Sequence, residues 1–325
     1  MNGTRLTSEK SENYTVLGRG PDSSLLKKSR PVSLVNIIRG RKYQRLEDIR
    51  HLASLNYFDT IVMLPRDNAL PYEELVSEFP NLRLFLFDPP LLEPRRSPGT
   101  LINLGIREAA GEVALFCWGG TGVSISQEAV AQLRSSVLCY VPQLRKPGGG
   151  LLPSMFVPAG QSEGASAAPI KPVPVIPDGR ENESLFPPDY LGLYIKERFT
   201  RVGGYDESFS NPYWQKLEFG YRSRLWGERI AYLPGFRVDY HNEPEVEEST
   251  PDEDYLRLYL RTQAIRYTGD RAQLPAGRFW AYYRAGNSNL FQAWERFAGE
   301  RRWVKKHRYH YRFDLRQLVE LWGEE

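Results

Sequence analysis

Between residues 32 and 118 short apolar runs alternate with segments of helical periodicity, and that alternation leaves little choice of fold. Residues 32–38 (VSLVNII) read as a strand buried on both faces. Leu46, Ile49, Leu52 and Ala53 then repeat at helical spacing. Residues 60–64 form a second strand, 72–79 (YEELVSEF) a second helix, and 82–87 (LRLFLF) a third strand stopped by Asp88, Pro89 and Pro90. Residues 100–110 predict a helix, with Gly111 as its left-handed C-cap, and 113–116 a fourth strand. Such alternation requires right-handed crossovers and parallel pairing. The fold class expected is α/β, a Rossmann-like and mostly parallel sheet, with ligands beyond the carboxyl ends of its strands.

The rest of the chain is less regular. Residues 1–30 are polar and lack an apolar face, so a disordered tail is expected there. Residues 142–188 hold ten of the 24 prolines, GGG at 148–150 and a GASAA tract, and predict a long loop inside a domain spanning 31–245. That loop is a lid, an acceptor-binding edge or a spacer. Residues 246–325 read as a helical, aromatic and basic extension.

At 325 residues, 41% hydrophobic and 26% charged, the chain can bury a full core. A net charge of +3 does not by itself imply nucleic acid. Cys117 and Cys139 are its two cysteines, which argues against a disulfide scaffold or zinc ribbon and for a reducing compartment. No apolar leader and no membrane span is visible, so a soluble cytoplasmic protein is expected. The run 301–312 (RRWVKKHRYHYR) carries six Lys or Arg and no acid. It reads first as a solvated helix face, second as a contact with an anionic membrane, and third as an RNA site, so no nucleic acid is expected.

Chemistry concentrates in residues 203–227, GGYDESFSNPYWQKLEFGYRSRLWG. Asn211 can cap a helix whose first residue is Pro212 and which Gly227 ends. Trp214, Leu217, Tyr221 and Leu225 share an apolar stripe, and Gln215, Glu218 and Arg222 a polar face. Glu218 and Arg222 are either a surface pair at i,i+4, stabilising by about 0.3–0.5 kcal/mol, or a carboxylate facing a reaction.

This series resembles the acceptor half of the glycosyltransferase A-fold (GT-A), especially the inverting family-2 enzymes. The helix INLGIREAAGE at 102–112 agrees with it, through Asn103, Gly105 and Gly111. The resemblance implies transfer of a sugar from a nucleotide-sugar, a UDP-sugar first, to a surface-glycan or lipid-linked acceptor. It implies Glu218 as general base and Asp206, beside Glu207, as the acceptor contact. Asp67, Asp88 and Asn103 would line the donor pocket, with Arg39, Arg41, Arg66 and Arg222 near the diphosphate and His241 as the late histidine. Taken as bare residues, Asp67 and Asp88 are also ordinary loop starters, and His241 a structural histidine.

Two positions depart from the family. Gln215 and Lys216 stand where an acidic pair carries its base. The fourth strand ends in Trp118, Gly119 and Gly120, where the family places an Asp-x-Asp motif for a divalent cation. No metal ligand is therefore expected, and the glycines either offer N–H groups to a phosphate or form a tight turn. A non-catalytic binding or scaffold protein on the same fold is the rival reading. A nucleotidyltransferase is a more distant one, which NIIRGRKYQR after the first strand supports weakly.

Overall fold

The structure, a computed structural model, describes residues 5–9, 12–21, 31–38, 45–55, 57–67, 69–88, 97–158, 172–180, 182–286 and 289–323. The chain starts with β1 (Arg5–Glu9) and β2 (Glu12–Leu17). The expected alternation follows as β3 (Val32–Ile37), α1 (Arg45–Ser54), β4 (Asp59–Pro65), α2 (Tyr72–Glu78), β5 (Leu82–Phe87), α3 (Pro98–Glu108) and β6 (Val113–Trp118). Next come β7 (Thr121–Ile125), α4 (Gln127–Ala131), β8 (Val137–Arg145), β9 (Leu151–Leu152), β10 (Met155–Pro158) and β11 (Pro172–Val175). The site region is β12 (Gly192–Ile195), α5 (Lys196–Arg201), α6 (Pro212–Leu225) and β13 (Arg229–Tyr240). The C-terminal layer is α7 (Glu253–Leu258), a π-helical turn Tyr259–Gln263, a small ribbon of β14 (Arg266–Thr268) and β15 (Arg271–Gln273), then α8 (Arg278–Ala285), α9 (Leu290–His307) and α10 (Leu315–Glu320).

The main sheet runs β1-β2-β5-β4-β3-β6-β12-β8-β13-β7, with β9 on β8. Its centre, β5-β4-β3-β6, is parallel throughout, and β8 and β13 are parallel to each other. Between these blocks β12 runs antiparallel to both β6 and β8. Gly192 permits this close insertion, because a Cβ there would lie 2.5 Å from the Cys139 sulfur.

Three expectations are corrected. The N-terminal residues are not all irregular: β2 pairs antiparallel with the edge of β5, and Tyr14 stacks on Phe85 at 5.6 Å. A strand this short packs Tyr14, Val16 and Leu17, each partly buried, against the core, too few residues for a periodic signal. The proline-rich stretch is partly ordered as the ribbon β10-β11, in which Pro158 faces Pro172 and Phe156 faces Pro174. In a two-stranded ribbon both strands are edges, so a missing N–H can face away from the ladder; the GASAA tract lies outside the described residues. Gly111 is not a left-handed cap. α3 ends at Ala109, and Gly111 is needed because a Cβ would meet the Pro31 carbonyl oxygen at 2.4 Å.

Helix α6 starts as expected, with Asn211 Oδ1 accepting the Tyr213 N–H at 2.9 Å. Its surroundings differ from a surface helix. Phe219 joins the core of the sheet, while Leu217, Tyr221 and Leu225 join a second core with Leu258, Phe297 and Leu318 of the C-terminal layer. Gly220 lets α6 touch the chain before β12, where a Cβ would come within 2.5 Å of the Leu185 carbonyl oxygen. The polar face of α6 is therefore internal. No described helix is long and apolar enough to cross a membrane.

Candidate functional site

The turn 203–207 is held from two sides, by Asn103 and Arg222. Gly203 and Gly204 have φ of +84° and +66°, which other residues adopt only with strain, and a Cβ on Gly204 would sit 2.5 Å from Asn103 Oδ1. Asn103 accepts the Tyr205 N–H at 2.9 Å and donates to the Tyr205 carbonyl at 2.8 Å and to Glu207 Oε1 at 3.0 Å. Arg222 donates to the carbonyls of Val202 and Gly204. Asn103 and Arg222, expected at the donor, thus fasten the turn.

Glu218 is fully buried, and Arg222 grips both its oxygens, Nε to Oε1 at 2.6 Å and Nη2 to Oε2 at 3.0 Å. Arg261 adds a second positive charge at 3.9 Å. This carboxylate is an internal counter-ion rather than one that faces an acceptor hydroxyl. The physical reason is the C-terminal layer, which covers the face of α6 that would otherwise be open.

Arg261 is the centre of the network. It pairs with Asp206 and, through Nε, with Glu300 Oε2 at 2.6 Å, and its guanidinium lies 4.3 Å from the Trp303 ring centroid. Burial alone would lower its pKa, but Glu300, Glu218 and Asp206 outweigh that and raise it. Burial likewise pushes Asp206 up, but Arg261 and the hydrogen bonds from Ser208 prevail and bring it to about 2.

At the other end of α6, Gln215 joins four pieces of chain. Its Oε1 accepts from Gly99 N at 3.0 Å and Tyr190 OH at 2.8 Å, and its Nε2 donates to Ser97 Oγ at 2.7 Å and the Asp206 carbonyl at 2.9 Å. Lys216 is also buried. Its ammonium pairs with Glu247 and lies 5.3 Å from the Tyr190 ring centroid. Tyr190 follows Asp189, and both have positive φ, 62° and 45°. This strained dipeptide is pinned at the end of β6 by Trp118, whose Nε1 donates to the Asp189 carbonyl at 2.8 Å, and by Tyr240, whose OH donates to Asp189 Oδ2 at 3.0 Å.

A separate group occupies the carboxyl ends of the parallel strands. Asp67, after β4, accepts from Ala69 N at 3.2 Å and lies 3.8 Å from Arg45. Asp88, after β5, is mostly exposed and lies 3.6 Å from Arg66, which also reaches Thr15 on β2. Exposed His241 follows β13, with its N–H on the Gly120 carbonyl at 3.1 Å. Arg39 and Arg41 lie outside the described residues. For a divalent cation the fit fails at the expected place, since Trp118, Gly119 and Gly120 bring no carboxylate. Among the described residues no group of three or more His, Cys, Asp or Glu could hold a metal.

The sheet, with its parallel centre and with β12 inserted antiparallel between two parallel blocks, is that of the GT-A fold. The solved structure of GalNAc-T7 with UDP, GalNAc and Mn2+ matches with a TM-score of 0.53 and 15% identity, covering 73% of this chain and 48% of that one. This chain thus spans about half the length of that protein. Structures of S. aureus TarS also match, at a TM-score of 0.43 and 14% identity over 70% of this chain. They cover 38% of one TarS chain and 64% of another, which is in complex with UDP-GlcNAc. No family model and no curated protein matches the chain.

Sequence reasoning missed Arg261, Lys216 as a buried ion-pair member, and the Asp189–Tyr190 bend. Arg261 sits in an unremarkable amphipathic run, and its direction depends on the π-helical turn. Gln215 was visible only as a departure from an acidic pair, although a neutral amide is what four mixed donors and acceptors demand.

Proposed function

We propose that the chain is an inverting glycosyltransferase that takes a nucleotide-sugar, with a UDP-sugar as the first candidate, and glycosylates a glycan or lipid-linked acceptor. The observation that carries this reading is the pair of acids, Asp67 and Asp88, held by Arg45 and Arg66 at the carboxyl ends of adjacent parallel strands in a GT-A fold. There the acids accept hydrogen bonds from ribose and base, and Arg66 offsets phosphate charge. In the transfer, the acceptor oxygen bonds the anomeric carbon as the bond to the diphosphate oxygen breaks, and the nucleoside diphosphate leaves with that electron pair. The hydroxyl proton passes to a carboxylate.

Glu218 is sealed, and Asp206 is locked to Arg261 as a positioning acid. The acid we assign to the proton is Glu247, which pairs with Lys216, one of the two residues that stand in the sequence where the family carries its acidic pair. Its side chain is 36% exposed, so a hydroxyl can reach it.

A second reading, a non-catalytic binding protein, is favoured by one observation: a buried lysine replaces the expected acid. Calorimetry with UDP, with and without Mn2+, and transfer or hydrolysis assays over a nucleotide-sugar panel separate the two. Turnover that Glu247→Gln abolishes while UDP binding persists supports the assignment. Turnover untouched by Glu247→Gln removes the base, UDP binding without any turnover favours a non-catalytic binding protein, and absence of both turnover and nucleotide binding across the panel refutes the transferase and favours a scaffold.

A further inference from the structure

Four large apolar side chains of α8 and α9 stand in solvent: Trp280 is 56% exposed, Leu290 50%, Phe291 77% and Trp294 51%. The two indoles belong to one patch, because buried Phe279 meets both of them edge-on, Trp280 at 5.3 Å and Trp294 at 5.1 Å between centroids. Exposed apolar residues scattered singly are ordinary, but two tryptophans, a phenylalanine and a leucine on one helical hairpin form a contact surface. The proposed transfer chemistry uses none of them.

Helix α9 has two faces. Ala293, Phe297 and Val304 are buried, and on their side Glu300 reaches Arg261. On the other side Leu290, Trp294, Ala298, Arg301 and Lys305 recur at helical spacing as one stripe, with Phe291 and Arg302 beside it. Along the stripe the apolar residues come first and the cations last, with roughly 10 Å of helix axis between Trp294 and Arg301. Exposed Arg284 adds a positive charge from α8. The ion pairs of α9 among the described residues engage Glu300 and Arg296 instead, and Glu295 is its one exposed acid. In the basic run 301–312, Trp303 is partly buried and Tyr311 fully so. The aromatic part of this surface therefore comes from residues 280–294, upstream of the run that the sequence singles out.

Such a face needs a partner that is negative at its surface and apolar just beneath. A second copy of the chain would set cations against cations. Nucleic acid suits cations interleaved with flat rings, whereas here the two kinds are segregated along the helix and Leu290 offers no ring to stack on. An anionic bilayer meets both demands: lipid phosphates for Arg301, Arg302 and Lys305, and the acyl boundary for Leu290, Phe291 and the indoles. We infer that the α8–α9 face docks the protein on an anionic membrane, with α9 lying along the surface and its first turns deepest. The inference does not rest on sugar transfer, and its test contains neither nucleotide nor glycan.

The full chain is sedimented with vesicles of phosphatidylcholine containing phosphatidylglycerol, and with vesicles of phosphatidylcholine alone. Strong binding is expected only to the first, with a blue shift of tryptophan emission and weakening as salt rises. Phe291→Ser, at the most exposed of the four apolar positions, is expected to weaken binding by about tenfold or more. Arg301→Gln combined with Lys305→Gln is expected to weaken it by about thirtyfold, at roughly fivefold per cation. All three positions are exposed, and the melting temperature checks that each variant folds as the parent does. No binding to the anionic vesicles, binding that Phe291→Ser leaves unchanged, or dimerisation that Phe291→Ser abolishes would overturn the inference. Tighter binding of single-stranded RNA, lost in the same variant, would overturn it too and give the face to nucleic acid.

Discussion

Replacing Arg261 by leucine tests the central network most directly. The substitution keeps an apolar side chain beside Phe209 and Trp303 but leaves Glu300 and Asp206 without their buried cation. Removing one member of a buried pair costs about 3–5 kcal/mol, because the remaining charge stays desolvated. An independent measure comes from Asp206, whose pKa falls from 3.8 to about 2 on folding. At 1.36 kcal/mol per unit that is about 2 kcal/mol, which Arg261 shares with Ser208. The sign follows from linkage. Below its unfolded pKa the unfolded chain binds more protons, so this stabilisation is complete above pH 3.8 and is lost as pH falls toward about 2. Urea unfolding followed by tryptophan emission should show Arg261→Leu destabilised by about 3–5 kcal/mol at pH 7 and a shallower loss of stability on the acid limb. A cycle with Asp206→Asn should give a coupling of about 1–3 kcal/mol. A variant within about 1 kcal/mol of the parent, with an unchanged acid limb, would refute the reasoning.

Three further outcomes follow from other contacts. Glu218→Gln leaves the Arg222 guanidinium without its buried counter-charge, so we expect a loss of about 3 kcal/mol or more in urea unfolding rather than a selective loss of turnover. Gln215→Glu should destabilise by about 2 kcal/mol or more in the same measurement, since a carboxylate oxygen would face the Asp206 carbonyl that Nε2 now contacts at 2.9 Å. Gly220→Ala would press a methyl into the Leu185 carbonyl, and a loss of about 1–3 kcal/mol, read as a lowered melting temperature, is expected.

The parallel half of the sheet was legible because fully buried strands and amphipathic helices write different periods into the sequence. α6 was legible too, with its asparagine cap, N1 proline and terminal glycine. What could not be read was the destination of its polar face. Gln215, Glu218 and Arg222 have the same spacing whether they meet solvent, substrate or other protein, and what covers them lies far off in sequence, residues 97–99 and Tyr190 over Gln215 and Arg261 beside Glu218. The N-terminal strand and the proline ribbon stayed hidden for a related reason. Each is stabilised by a partner distant in sequence, β5 for one and the chain across residues 159–171 for the other.

The reversed strand β12 has a consequence for the order of folding. Among the described residues it is the one strand that joins, by hydrogen bonds, the block of β3 to β6 and the block of β8 and β13. During synthesis, β6 and β8 emerge well before residues 192–195. Until then, each displays an apolar edge on which any extended chain could seat itself. The nascent protein therefore passes through an interval in which the block of β3 to β6 and the single strand β8 have emerged but are unjoined, β13 still to follow, and the closing strand competes with intermolecular pairing. A fragment cut between β8 and β12 would hold the molecule in that interval permanently.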